Sequence, residues 1–257
     1  MVALATVLSI LKLVEMPYGG SVTMASMLPI VIVSYRCGLG WGLGSGLCFA
    51  VIQQLLGLKY LSYFTTWQSV VALVLFDYVI AFAVSGLGGV FKSKRISQKV
   101  AFVAGAVLVS LLRYLCHVIS GATVWVGLSI PDSAALIYSL GYNATYMIPE
   151  AIILAAVGYY IGGLIDFSKE NPTRFAPGEE KKTASSAAYA LSATAIIVML
   201  TVDVSLLAPF TQNPDTGLFD FGYLKDAPWI AVSVVSAACL VLAALALIFL
   251  REKKIKK

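Results

Sequence analysis

The chain has 257 residues, of which 60% are hydrophobic and only 12% charged, and its formal net charge is +5. Soluble domains carry roughly twice that share of charged residues, so the composition excludes an ordinary soluble enzyme and indicates an integral membrane protein. The positive charges lie between apolar runs rather than in a stripe, which argues against nucleic acid as a partner.

Apolar runs approach or exceed the roughly 20 residues that cross a bilayer as a helix. They predict about eight spans, at 2–14, 23–36, 41–58, 68–91, 100–119, 144–165, 186–209 and 229–250. The first two runs are short, and the first has neither the basic region nor the cleavage site of a signal peptide. No credible strand lies between the spans. The sequence therefore predicts an all-α polytopic membrane protein.

The basic residues are distributed unequally between the two sides of the membrane. Basic residues cluster at 92–99, 169–182 and 251–257. With eight spans these clusters fall on one face, which the positive-inside rule makes cytoplasmic. The loops of the other face carry few cations. We therefore expect a multi-pass membrane protein with both termini in the cytoplasm.

The longest polar stretch divides the chain. Its proline, glycine and charged residues at 169–185 are typical of a cytoplasmic linker. We expect a six-helix membrane bundle over 1–168, and an accessory transmembrane hairpin with a basic tail over 186–257. The hairpin carries one intramembrane acid, Asp203, and few other polar groups.

Small residues recur at helical spacing in the first and third spans. The glycines at 38, 42 and 46 are spaced to let a neighbouring helix approach closely, which indicates packing. Ala5 and Ser9 form a similar pair on one face of the first span. That pair indicates either ordinary packing or a docking stripe for another membrane protein, and the motif alone does not separate the two.

Asp77 is the single residue whose position in the membrane most needs an explanation. It lies about nine residues into the fourth span, roughly 14 Å along the helix. A carboxylate at that depth is costly unless it is paired, hydrated or facing a cavity. One interpretation is a structural ion pair with Arg113, and the other is a site for a cationic ligand. A pair between Glu150 and either Arg113 or Lys12 would leave Asp77 freer for the ligand.

His117 is the only histidine of the chain. Trp125, Tyr138, Tyr142 and Asn143 follow it in what we expect to be an outer loop. A lone histidine is often a satisfied core group, and aromatic residues at a membrane interface are often an ordinary belt. Together, however, ring faces and an amide suit an aromatic, partly charged small molecule, because aromatic faces attract cations.

Catalysis is poorly supported by the residue types. No nucleophile–base pair, two-carboxylate site, metal cage or cofactor motif is recognisable. Cys116 and His117 are adjacent on a predicted helix and therefore point to different faces. The sequence predicts ligand binding without a cofactor rather than an enzyme.

Several segments together carry a family resemblance. They are 16–23, 27–30, 36–42, Asp77-Tyr78, 113–117 and Gly121, with Trp125, Tyr138 and Asn143 following. By these segments, residues 1–170 resemble the thiamine-specific substrate-binding subunit (S-component, ThiT family) of energy-coupling factor vitamin transporters. The fold implied is a six-helix S-component-like bundle, to which the C-terminal hairpin is added.

The resemblance implies roles for the residues that follow the fifth span. Trp125 and His117 would pack against the rings of thiamine, and Tyr138 and Asn143 would form hydrogen bonds with the ligand. Asp77 would meet its polar or cationic part, in place of the glutamate found in the family.

Two more contacts and several partners are implied in the same way. Tyr78 would lie beside the acidic residue, and Trp67 would add another aromatic contact. The family implies a membrane coupling subunit and two cytoplasmic ATPases that drive uptake. Ala5 and Ser9 are then the expected docking surface. Two alternatives remain open: an S-component for a thiamine precursor or another vitamin, and a polytopic membrane enzyme acting on a lipid head group.

Overall fold

The computed structural model describes residues 1–93, 95–128, 130–131, 134–175, 186–216 and 218–249. The helices in chain order are α1 (Val2–Ile10), α2 (Leu28–Cys37), α3 (Leu39–Leu56), α4 (Trp67–Leu87), α5 (Gln98–Thr123), α6 (Ala135–Leu164), α7 (Ser186–Leu207) and α8 (Trp229–Phe249). Among the described residues, 6 helices are long and apolar enough to cross a membrane. The predicted all-α polytopic fold is confirmed. Most of the predicted linker and the basic C-terminal tail lie outside the described residues.

The first predicted span is wrong beyond Ile10. The run continues as strand β1 (Lys12–Glu15), which pairs antiparallel with β2 (Ser21–Thr23). Val14 is buried while its neighbour Glu15 is exposed, the alternation of a strand rather than of a helix. Tyr18 and Gly19 make the turn with positive φ angles of 62° and 108°. The expectation that no strand is present was therefore wrong, and a second short pair, β3 (Ile165–Asp166) and β4 (Thr173–Arg174), follows α6.

The longest helices, α5 and α6, pack side by side and form the centre of the bundle. Gln98 at the start of α5 donates hydrogen bonds to the carbonyls of Gly162 and Ile165, which ties that end to the end of α6. At the opposite end, Ser139 Oγ donates to the carbonyl of Val118. These bonds fix the register in which α5 and α6 present their side chains to the cavity described below.

Glycine on α3 allows the close approach of a neighbouring helix. A Cβ added to Gly42 would lie 2.5 Å from the carbonyl oxygen of Gly86 on α4 and 2.5 Å from the Cβ of Ser34. A Cβ added to Gly44, half a turn on, would meet nothing within 4 Å. The packing interpretation of the glycine spacing is confirmed at Gly42.

This contrast predicts opposite effects of the same substitution. We expect Gly42→Ala to lower the unfolding free energy by about 1–3 kcal/mol, because backbone must move to accept the methyl group. Gly44→Ala should be neutral or stabilising by up to about 1 kcal/mol, since alanine is the better helix former. Thermal unfolding of the two purified variants in detergent checks both, and equal melting temperatures would contradict the proposed contact.

The small residues of α1 face the interior. Ala5 is fully buried, and Ser9 accepts a hydrogen bond of 2.7 Å from Gln53 Nε2 of α3. Ala5 packs in one buried cluster with residues of α2, α3 and α4, whereas Ser9 lines the cavity described below. Packing accounts for the small size of Ala5, and a role of Ala5 and Ser9 in docking a membrane partner stays a prediction.

Candidate functional site

A cavity of about 450 Å³ lies at the end of the bundle where α5 ends and α6 begins. It is lined by the β1–β2 hairpin, the turn after α3, and residues of α4, α5 and α6. Its volume lies in the range of about 300–1,000 Å³ that is typical of small-molecule sites. Of the predicted site residues, the cavity is lined by Asp77, Tyr78, His117, Trp125 and Asn143.

The carboxylate of Asp77 organises the floor of this cavity. Its Oδ1 lies 2.9 Å from His117 Nδ1, and its Oδ2 accepts hydrogen bonds of 2.8 Å from both Ser120 Oγ and Trp125 Nε1. The side chain of Asp77 is 12% exposed. The structure therefore brings the imidazole, the indole and the carboxylate together from three segments of the chain.

The nearby arginine has a different partner. Arg113 Nη1 lies 2.8 Å from Glu150 Oε2, and both side chains are almost completely buried. Thr23 donates a hydrogen bond of 2.6 Å to the other oxygen of Glu150. The predicted Asp77–Arg113 pair is wrong, and the alternative Glu150–Arg113 pair is confirmed. The positive charge of Arg113 is thus compensated without Asp77.

A widened turn in α4 brings two neighbours to the cavity. Residues Val74–Ile80 form a π-helix, in which more residues occupy each turn than in an α-helix. The wider turn reduces the angle of about 100° that separates neighbouring residues of an α-helix, and Asp77 and Tyr78 both line the cavity.

Trp125 stands inside a group of aromatic rings that we call the aromatic cage. Its ring centroid lies 6.4 Å from that of Tyr18, 6.5 Å from Tyr60, 6.2 Å from Tyr63 and 5.1 Å from Phe64, all at edge-on angles. None of the four partners was predicted as a site residue. Three of them lie just after α3, where a high density of aromatic residues also fits an ordinary membrane-interface belt.

Asn143 lies on α6 rather than in a loop. The helix begins at Ala135, after Ala134 with a φ of 57°, so the predicted outer loop is shorter than expected. Asn143 Nδ2 donates to the carbonyls of Ser139 and His117, at 2.9 and 3.2 Å, and Tyr146 donates to its Oδ1. The amide thus fixes the position of His117 as well as facing the cavity.

The structure leaves two of the predicted residues outside the cavity. Tyr138 lies one helical turn before Tyr142 on α6 and packs edge-on against Phe219, with centroids 6.5 Å apart. Trp67, at the start of α4, is 71% exposed. Neither side chain lines the cavity. Tyr142, which the sequence places in the same cluster, lines the cavity, as does Tyr146, which was not predicted.

The mouth of the cavity carries one acidic and two basic side chains close together. Lys12 Nζ lies 2.7 Å from Glu15 Oε1, and Lys59 Nζ lies 3.8 Å from the same oxygen. The hydrogen bond from Lys12, together with the positive charge of both lysines, holds the pKa of Glu15 below its usual value. Glu15 is half-exposed, so it is screened by solvent in a way that Asp77 is not.

These groups offer acceptors and ring faces to a ligand. His117 Nε2 is buried and has no hydrogen-bond partner among the described residues. A neutral imidazole that donates from Nδ1 to Asp77 presents Nε2 as an acceptor. Across the same part of the chain, no group of three or more His, Cys, Asp or Glu side chains could hold a metal ion.

Comparison with known proteins gives the family. The model of the thiamine transporter protein family (Thia_YuaJ) matches residues 1–164, which include every residue that lines the cavity. The chain is also 39% identical over 168 residues to the thiamine transporter ThiT of Bacillus subtilis (strain 168), an alignment that covers 61% of this chain and 83% of the relative. The match ends where α6 ends, so α7 and α8 fall outside it. The chain belongs to the thiamine transporter protein (Thia_YuaJ) family.

Proposed function

We propose that this protein captures thiamine from the exterior, as the substrate-binding subunit of an energy-coupling factor importer. Its family is one of transporters, so the alternative of a membrane enzyme acting on lipid head groups is set aside. Thiamine consists of an aminopyrimidine ring joined by a methylene group to a positively charged thiazolium ring. A suitable site therefore offers flat apolar walls, a negative charge and acceptors for an amino group.

The charge balance of the cavity is the observation that carries this proposal. Arg113 is paired with Glu150, and Glu15 at the mouth is paired with Lys12. No lysine or arginine among the described residues pairs with Asp77, whose carboxylate is hydrogen-bonded to His117, Ser120 and Trp125. A buried charge without a counter-ion is costly, and a bound organic cation would remove that cost. The site is therefore matched to a ligand with one positive charge.

The aromatic cage supports the same ligand. Tyr18, Tyr60 and Trp125 present rings to the cavity beside Asp77. Ring faces attract a cation by about 0.5–2 kcal/mol each, with the larger values where water is excluded. The free acceptor at His117 Nε2 suits a ligand amino group, which would otherwise leave that buried atom without a partner.

The positions of the basic residues support an exterior cavity. Lys99 lies at the start of α5, about 27 Å along the helix from His117 at 1.5 Å per residue. Lys92 lies at the same end as Lys99, with its Nζ 3.4 Å from the carbonyl of Arg36. The separation approaches the roughly 30 Å thickness of the hydrocarbon core. With the basic end in the cytoplasm by the positive-inside rule, the cavity faces outward and both termini lie inside.

Calorimetry on the purified full chain tests the ligand. We expect thiamine to bind at least tenfold more tightly than hydroxymethylpyrimidine, the isolated thiazole alcohol or riboflavin, because only thiamine uses the charge and both ring sites. Mass spectrometry of small molecules carried through purification should also detect thiamine. Preferential binding of the isolated pyrimidine would indicate that the ligand is a thiamine precursor. The absence of a binding heat with every one of these compounds would contradict the proposal.

Uptake needs an energy source, for which we propose a membrane coupling subunit and two cytoplasmic ATPases. The test is thiamine uptake into proteoliposomes that contain this chain with or without those three partners and ATP. We expect accumulation only in the complete mixture. Equal ATP-independent accumulation by this chain alone would contradict the proposed coupling while leaving thiamine capture intact.

The Trp125→Ala substitution should weaken thiamine binding at least tenfold, about 1.4 kcal/mol. It removes the ring at the centre of the aromatic cage and a hydrogen-bond donor to Asp77. Trp67→Ala is the matched control, because that indole is 71% exposed and outside the cavity. Its affinity should stay within twofold of the parent. Equal effects of the two substitutions in calorimetry would contradict this site.

A further inference from the structure

The segment beyond the family match packs behind the wall of the cavity. Val204 of α7 and Phe219, in the turn between α7 and α8, belong to the same buried core as Ile130, Tyr142 and Tyr146. Those last three residues line the cavity. The C-terminal hairpin is therefore packed directly behind the ligand site and is not a separate attachment.

Phe219 is held in place by a backbone turn. Gln212 and Phe219 form an isolated antiparallel bridge. Around it, the backbone N–H of Asn213 donates to the carbonyl of Leu218 at 2.8 Å, and that of Asp220 donates to the carbonyl of Thr211 at 3.0 Å. Phe219 is only 1% exposed. The turn therefore holds the buried ring of Phe219 in a fixed position.

That ring contacts two tyrosines on one face of α6. The centroid of Phe219 lies 5.4 Å from Tyr142 and 6.5 Å from Tyr138, at interplanar angles of 83° and 89°. Edge-on aromatic pairs at these separations have a preferred geometry, so each ring restricts the other. Tyr142 also lies edge-on to Tyr146, 5.8 Å away. The contact thus reaches the residues that face the ligand.

We propose that Phe219 is a positioning residue for the ligand, acting through Tyr142. It closes the rear of the wall formed by the start of α6 and keeps the ring of Tyr142 directed at the cavity. The inference rests on the proposed function, because it assumes that thiamine contacts this wall. It also gives the added hairpin a role in binding, and it accounts for Tyr138, which packs behind the wall rather than against the ligand.

The experiment compares Phe219→Ala and Phe219→Leu with Ile230→Ala in the full chain. Ile230 lies in the same hairpin but is 83% exposed, so it is the control for general effects of substitution there. We expect Phe219→Ala to weaken thiamine binding about tenfold, mainly through faster release measured by stopped-flow tryptophan fluorescence. Phe219→Leu, which keeps most of the apolar volume, should weaken binding about threefold, and Ile230→Ala less than twofold.

A double-substitution cycle separates positioning from loss of stability. If Phe219 acts through Tyr142, thiamine binds Tyr142→Ala and Tyr142→Ala/Phe219→Ala with affinities within twofold of each other. Independent effects would instead multiply, and that result would overturn the inference. Thiamine affinity of Phe219→Ala within twofold of the parent would overturn it as well.

A readout without ligand keeps the inference distinguishable from the proposed function. In protein labelled with fluorotyrosine, Phe219→Ala should shift and broaden the ¹⁹F signal assigned to Tyr142, whereas Ile230→Ala should leave it unchanged. An unchanged Tyr142 signal contradicts the positioning role even where thiamine binds normally. A parent protein that binds no thiamine, but whose Tyr142 signal responds to Phe219→Ala, contradicts the proposed function and leaves the contact as wall packing alone.

Discussion

Replacing Asp77 by asparagine should weaken thiamine binding by about 30-fold or more, corresponding to about 2 kcal/mol. The substitution keeps the size of the side chain but removes the negative charge that Arg113 does not compensate. It also places an N–H₂ group where a carboxylate oxygen now accepts hydrogen bonds from Ser120 and Trp125. Calorimetric titration of thiamine into the purified variant measures the loss.

Glu15→Gln provides the matched control for this prediction. Both carboxylates line the cavity, but Glu15 lies at its exposed mouth and is paired with Lys12. Its neutralisation should change the affinity for thiamine by less than threefold, since exposed ion pairs contribute little. Equal losses in the two variants would indicate a general electrostatic attraction at the mouth, in contradiction to a specific site at Asp77.

Analogues of thiamine identify the group that Asp77 meets. In 3-deazathiamine a neutral thiophene ring replaces the thiazolium, and in oxythiamine an oxo group replaces the amino group. The loss of affinity caused by Asp77→Asn should be smaller for the analogue that lacks the group in contact with the carboxylate. An undiminished penalty for both would mean that Asp77 acts only by holding His117 and Trp125 in place.

Breaking the buried Arg113–Glu150 pair should cost about 3–5 kcal/mol of unfolding free energy. In Arg113→Met the carboxylate of Glu150 loses the cation 2.8 Å away, in a position that is nearly inaccessible to water. Thr23 still donates to it, but one neutral hydrogen bond does not replace a charge. Equilibrium unfolding in mixed micelles, without ligand, measures the effect.

Two further variants make this second prediction specific. The double substitution Arg113→Met/Glu150→Leu removes both charges and should recover most of the lost stability, because well-packed apolar groups replace a buried pair at little net cost. Lys12→Met breaks the exposed pair at the mouth and should cost less than about 1 kcal/mol. A double variant as unstable as Arg113→Met would show that packing, rather than charge, is responsible.

The parts of the site that could be predicted from the sequence are those governed by the membrane. Asp77 and His117 are recognisable because polar groups at such depth need a partner or a cavity, and that rule holds whatever the details of packing. Trp125 could be predicted as a site residue because it lies just beyond the span that contains His117. The choice of partner for Arg113 was not predictable, because both Asp77 and Glu150 satisfied the depth argument.

The remaining features depend on local backbone geometry that hydropathy does not encode. The apolar run at the N-terminus reads equally well as helix or strand, and only the pairing of β1 with β2 decides it. Tyr18, Tyr60 and Tyr63 are in loops, where aromatic residues are common in any membrane protein. Tyr138 was assigned to the ligand by the family resemblance, whereas the structure places it outside the cavity, against Phe219.

The π-helical turn at Val74–Ile80 makes the length of this segment, and not only its residues, important for transport. Removing one residue would allow the turn to tighten into regular α-helix, with hydrogen bonds one residue shorter. The residues beside the deletion would shift round the helix axis, by about 100° for each position lost, and Asp77 or Tyr78 would leave the cavity. Deletions here are therefore expected to be less tolerated than substitutions on the lipid-facing side, even where every named contact residue is retained.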